Sequence, residues 1–190
     1  MIDVIPLLKG YWYRVMMRMR RRRFSAGRGF RIFGQLSVRG PGMVVIGDDV
    51  AVCGRVHAWT YAADAQILIE DDVVLSGTRF AAARRIRVGR NAVVAEASIR
   101  DTDFHSTRAD RRSPEAPIRV AAVDIGEHVQ IAGGAVLLPG TQIGENSIVA
   151  PAAVCMRSVP PNKLVLGNPA MVAAPIPALC EASGRATPGN

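Results

Sequence analysis

Aliphatic residues recur at every sixth position in the second half of the chain. Counting from Ile125, the anchors are Ile125, Ile131, Leu137, Ile143 and Val149, with Cys155 in the sixth place. Four residues after each of the first five stands a small or β-branched residue: Val129, Ala135, Thr141, Ser147 and Ala153. Such a period is neither helical nor simply alternating. It fits a chain that makes a short strand, turns and repeats, with the anchor pointing inward. Glycine, asparagine and aspartate suit the corners, where the backbone turns sharply; they follow the anchors in Ile46-Gly47-Asp48-Asp49, Val88-Gly89-Arg90-Asn91 and Ile143-Gly144-Glu145-Asn146. The frame also runs through Ile46 and Val52, Ile69 and Leu75, and Val88 and Val94. The pattern predicts an all-β solenoid over residues 46–157, its triangular coils about 18 residues long and each buried only against its neighbours.

The frame breaks twice. From Ile46 to Ile69 is 23 residues, which predicts a small loop near residues 58–66. After the hexad Val94–Ile99, residues 100–124 hold no anchor, are rich in charge and include His105. A loop thrown out by a rigid scaffold is where chemistry is usually placed.

Residues 1–23 have a different character. Ile5, Leu8, Trp12, Met16 and Met19 fall near helical spacing, and Pro6 belongs in a first turn. Seven bases and one acid make this arm +6, most of the formal net charge of +8. Three readings of the arm stand side by side: a cap over the open end of the solenoid, a peripheral contact with an anionic membrane, and nucleic-acid binding, which no recognised motif supports. Residues 173–190 turn to Ala, Pro, Gly and Ser and are expected to be a disordered tail. Cys53, Cys155 and Cys180 have no metal-ligand spacing, and the apolar patch Ile5–Leu8 is too short for a signal core or a span. A cytoplasmic protein, peripheral at most to the inner membrane face, is expected.

Three motifs give the chain a family likeness: Asp101-Thr102-Asp103-Phe104-His105, Val123-Asp124-Ile125-Gly126-Glu127-His128-Val129-Gln130-Ile131, and Val159-Pro160-Pro161-Asn162 followed by Gly167-Asn168-Pro169-Ala170. Over residues 24–172 the chain resembles the hexapeptide-repeat acyltransferases, above all the O-acetyltransferases of bacterial exopolysaccharide and capsule biosynthesis. The resemblance implies a left-handed parallel β-helix, a homotrimer with active sites between subunits, and acetyl-CoA as co-substrate without a metal. It also implies a sugar or lipid-linked saccharide as acceptor; without a recognised motif in the basic arm, no nucleic-acid partner is expected. His105 takes the place of the loop general base. Imidazole is largely neutral at neutral pH and can accept a hydroxyl proton. Asp103 would orient it, and Asp101 would hold the acceptor.

By the same resemblance Ala132, Gly133, Pro151, Met156 and Arg157 fall at the coenzyme. Here the chain departs from the pattern. Pro151 has no N–H where relatives donate one to coenzyme A, a loss of about 0.5–1.5 kcal/mol. Met156 replaces a hydroxyl, and Arg157 keeps the positive charge of the usual lysine. Gly133 keeps a small corner for pantetheine to pass. His128, at a coil corner, is given no role; His57, one residue before the first break, has two readings, a structural residue or one that lines the acceptor side. The γ-class carbonic anhydrases share the scaffold but need three histidines, two of them close together, and His57, His105 and His128 contain no close pair. Two other functions fit the same residues: amino-sugar N-acetylation, and a non-catalytic trimer that organises a biosynthetic complex.

Overall fold

The computed structural model describes residues 4–176. One helix, α1 (Val4–Met19), is followed by strands that wind as a three-sided parallel solenoid. Face A stacks six strands from Phe24–Ala26 to Gln142–Ile143, and face C stacks six from Gln35–Arg39 to Val154–Cys155. Face B stacks eight, from Arg31–Ile32 to Met171–Pro175. Winding therefore begins at Phe24, a full coil before the first legible anchor.

The register turns the anchors into columns. Ile46, Ile69, Val88, Ile125 and Ile143 stack on face A. Val52, Leu75, Val94, Ile131, Val149 and Val165 stack on face B. Ala58, Phe80, Ile99, Leu137 and Cys155 stack on face C. All are buried and form one continuous core. Thin columns of aliphatic side chains explain why so few aromatics suffice.

Each corner has its own rule. Between faces A and B one residue per coil is left-handed: Gly29, Asp49, Asp72, Asn91, His128, Asn146 and Asn162. His128 is thus an exposed corner residue with φ 56°, in a series otherwise of glycine, aspartate and asparagine. Between faces B and C the left-handed residues are Gly54, Gly77, Glu96, Gly134 and Ala152. Their amides bond across the stack, as from Glu96 to the Ser76 carbonyl at 2.6 Å and from Gly134 to the Glu96 carbonyl at 3.1 Å.

Two insertions leave the coil. Strand Arg55–Thr60 runs through the first third of the predicted 58–66 loop, so only a tight turn over 61–65 separates it from Gln66–Ile69. The long excursion lies between strands Ser98–Arg100 and Val123–Ile125.

At the C-terminal end the expected tail needs correction. Residues 173–175 lie in strand Met171–Pro175, which folds back antiparallel on Lys163–Leu166. Ile176 N–H donates to the Asn162 carbonyl at 2.8 Å, and residues 177–190, Cys180 among them, lie outside the described residues.

Helix α1 lies on the first coil, against strands Phe24–Ala26 and Arg31–Ile32. Gly10 and Met17 are its buried residues. Gly10 sits so close to Phe30 that a Cβ there would run into the Phe30 carbonyl. Tyr13 meets Phe24 edge-on at 5.4 Å, and Arg14 donates to the carbonyls of Ala26 (3.2 Å) and Gly27 (3.0 Å). The helix covers the N-terminal end of the core through Gly10 and Met17, while Ile5 (69% exposed), Leu8 and Trp12 (65% exposed) line an open cleft beside face C.

Candidate active site

The long loop leaves face C at Arg100 and returns to face A at Val123. Its root is fixed by Asp101, which is fully buried. The carboxylate of Asp101 accepts from the Ala83 N–H at 2.6 Å and the Arg84 N–H at 2.7 Å, and its own carbonyl accepts from Ala121 N–H at 2.9 Å. Both oxygens close the corner of the coil before, so Asp101 is a structural clamp and is not open to an acceptor. That corrects the acceptor-binding role expected of it.

Beyond Asp101 the loop tightens. Thr102 bridges Val120, and Asp103 N–H donates to the Arg119 carbonyl at 3.1 Å. Phe104 is left-handed, with φ 61°, and its N–H donates to Thr102 Oγ1 at 3.2 Å. This kink ends the extended run, so Asp103 and His105 do not share the strand face that alternation predicts. His105 is exposed, Asp103 is half-buried, and no hydrogen bond joins them. The Phe104 ring packs edge-on against Tyr61 at 4.8 Å, pinning the loop to the turn after strand Arg55–Thr60.

The five expected coenzyme residues divide between two edges of face C. Ala132 and Gly133 lie on the corner before strand Val136–Leu137, and Pro151 on the corner before Val154–Cys155. Ala150 N–H donates to Val165, Ala152 N–H to Gly133 and Ala153 N–H to Ala150, so with Pro151 this corner has no backbone donor to spare. Among the described residues the Gly133 N–H donates to nothing, whereas Ala132, Gly134 and Ala135 are all committed. Met156 and Arg157 are exposed past the far end of strand Val154–Cys155, on the edge from which the His105 loop departs two coils earlier. Within one chain the Gly133 corner and the loop thus stand on opposite edges of face C, roughly 10 Å apart for a strand of three residues.

One feature of face C escaped sequence reasoning. His57, Trp59, Tyr61 and Phe104 join Arg79 and Arg100 around a cavity of about 150 Å³ beside the loop. His57 touches Trp59 edge-on at 5.2 Å, and the Arg39 guanidinium lies over the Trp59 ring at 5.6 Å. Burial, and then the guanidinium groups of Arg55, Arg79 and Arg39, hold the His57 pKa below its ordinary value. Among the described residues no group of three or more His, Cys, Asp or Glu could hold a metal ion. No helix among them is long and apolar enough to cross a membrane.

Comparison with known proteins finds likeness at the repeats and in the fold. Residues 122–156 match the bacterial transferase hexapeptide (six repeats). A putative acetyltransferase of Saccharomyces cerevisiae, YJL218W, is 44% identical over 50 residues, 26% of each chain. The galactoside O-acetyltransferase of Lactococcus lactis is 31% identical over 87 residues, 46% of this chain and 42% of that enzyme. The chain thus spans less than half the length of either relative. Among solved structures, the N-acyltransferase AntD of Bacillus cereus, in complex with dTDP and 3-hydroxybutyryl-CoA, superposes with a TM-score of 0.72 at 15% identity, over 86% of this chain and 88% of AntD. Residues 122–156 thus carry the bacterial transferase hexapeptide repeat, and the chain shares its coiled fold with AntD.

Proposed function

We propose that the protein is a coenzyme A-dependent acyltransferase that acetylates a hydroxyl of a sugar or polysaccharide precursor. The observation that carries this reading is the loop itself. It is clamped at its root by Asp101 and pinned by Phe104 on Tyr61, and it holds an exposed His105 just beyond the kink. His105 takes the proton of the acceptor hydroxyl as its oxygen attacks the thioester carbonyl. The new C–O ester bond forms, the C–S bond breaks, and the thiolate leaves as coenzyme A after protonation. The uncommitted Gly133 N–H is suited to the carbonyl oxygen as negative charge develops there. Arg157 is suited to a phosphate, and Asp103 to orienting His105 in the assembled site. Because loop and corner stand on opposite edges of face C, the reading assigns them to a site completed between neighbours in a homotrimer.

Calorimetry with acetyl-CoA, followed by an acetyl-transfer assay, tests it. Binding weakened by Arg157→Ala and transfer lost in His105→Ala are expected. His105→Ala with near-full activity would remove the proposed base. No binding at millimolar acetyl-CoA would favour the non-catalytic scaffold, for which the donor-poor Pro151 corner speaks. An amine acceptor is the second reading, because AntD is an N-acyltransferase; exclusive amide product would establish it.

The exposed stripe Ile5, Leu8, Trp12 and Met19 beside Arg18 and Arg20–Arg23 supports peripheral contact of α1 with an anionic membrane, close to a lipid-linked acceptor. Liposome sedimentation checks this: Trp12→Glu should release the protein from anionic vesicles, and unchanged sedimentation counts against the contact.

A further inference from the structure

The register of face C builds a groove that no sequence pattern announces. Two outward rows cross the strands. One runs His57, Arg79, Ser98; the other runs Trp59, Ala81, Arg100. In the second row a methyl group stands between an indole and a guanidinium. Neighbouring strands lie about 4.8 Å apart, so Trp59 and Arg100 wall a gap of roughly 10 Å over Ala81. Tyr61 and Phe104 close one end, at the foot of His105.

The groove is left chemically unsatisfied by the chain. His57 Nδ1, Trp59 Nε1 and Arg100 Nε are buried and have no hydrogen-bond partner. All three belong to its lining residues. Buried polar atoms are nearly always paired, so three orphans in one cavity call for a ligand that pairs them. Trp59 and Arg100 can only donate, and neutral His57 can donate or accept. Arg79 adds a second positive charge, and no carboxylate lines the cavity. At about 150 Å³ it is smaller than the roughly 300–1,000 Å³ of pockets that enclose a whole drug-sized ligand, so it takes one group of a longer molecule.

We propose that this groove seats the anionic group of the acceptor, a carboxylate or phosphate carried by a sugar, and so makes the substrate an acidic saccharide. The proposal rests on the acyltransferase reading and specifies its acceptor. The Trp59 indole would stack on the sugar ring, Arg79 and Arg100 would hold the anion, and the neighbouring hydroxyls would face His105.

The chain has only two tryptophans, so in a Trp12→Phe background Trp59 reports on the groove alone. Titrations with glucuronate, glucose 1-phosphate and glucose should change its fluorescence for one or both anions and not for the neutral sugar. Which anion binds decides between carboxylate and phosphate. Arg100→Ala should weaken binding about tenfold or more, and Ala81→Leu, which fills the floor, should abolish it. His105→Ala should bind undiminished. Equal binding of glucose, or no response to either anion while acetyl-CoA-dependent transfer to neutral sugars proceeds, would overturn the groove and leave the enzyme. Anion binding without any acyl transfer would sustain the groove and remove the enzyme. A change of oligomer size in Ala81→Leu by light scattering would make the groove a subunit contact and overturn the proposal.

Discussion

Two titratable groups show how the solenoid changes ordinary side chains. Cys155 occupies an aliphatic column, and burial pushes its thiol pKa up to about 11. It is expected to resist iodoacetamide at pH 8 in the folded protein, whereas half-buried Cys53 reacts; mass spectrometry of labelled peptides distinguishes them. His57 moves the other way. It faces Arg55 on its own strand, Arg79 and Arg39 on the flanking strands, and Lys9 from α1 across the adjoining cleft. Its folded pKa is depressed, so the unfolded chain binds the proton more readily. Its contribution to stability is full above the unfolded value near 6.5 and falls as pH drops through the folded one. Histidine NMR titration should place the midpoint below that of a free imidazole, and Arg79→Ala should raise it. Asp101→Ala strands two buried amides and should cost about 2–4 kcal/mol in urea unfolding.

Strands and helix were legible to different depths. The coils from Ile125 onward kept six residues between anchors, so their columns could be read directly. Upstream the spacing slips: Leu75 to Phe80 and Val94 to Ile99 are five residues, because the corners at Gly77 and Glu96 are one residue tighter than that at Gly133–Gly134. A fixed frame loses Phe80 and Ile99 there. Helix α1 was foreseen, but its buried side was not. The apolar stripe lines an open cleft, and the close contact is made where Gly10 lets the helix approach Phe30. A pattern of hydrophobic positions cannot register a residue that matters by lacking a side chain. Gly10→Leu is therefore expected to lift the helix and lower stability by about 1–3 kcal/mol, while Trp12→Ser leaves the thermal midpoint nearly unchanged. The His105 loop was visible as a break in the period. The face C groove was not, because Trp59, Ala81 and Arg100 come together at separations of 22 and 19 residues, neither a multiple of six.

In the complete molecule, the separation of the Gly133 corner from the loop has a consequence that sedimentation can check. A shared site requires association, so the active species should sediment as three copies; full activity in a monomer would locate both halves in one chain. The ends of the stack differ as well. The N-terminal coil lies under α1, while among the described residues only face B is turned back at the far end, by strand Met171–Pro175. Head-to-tail polymerisation of such coils needs two bare ends per molecule, and a plug on one is enough to terminate it. Losing α1 would bare the first coil and remove one of the two plugs, so the helix acts on this view as a chain terminator.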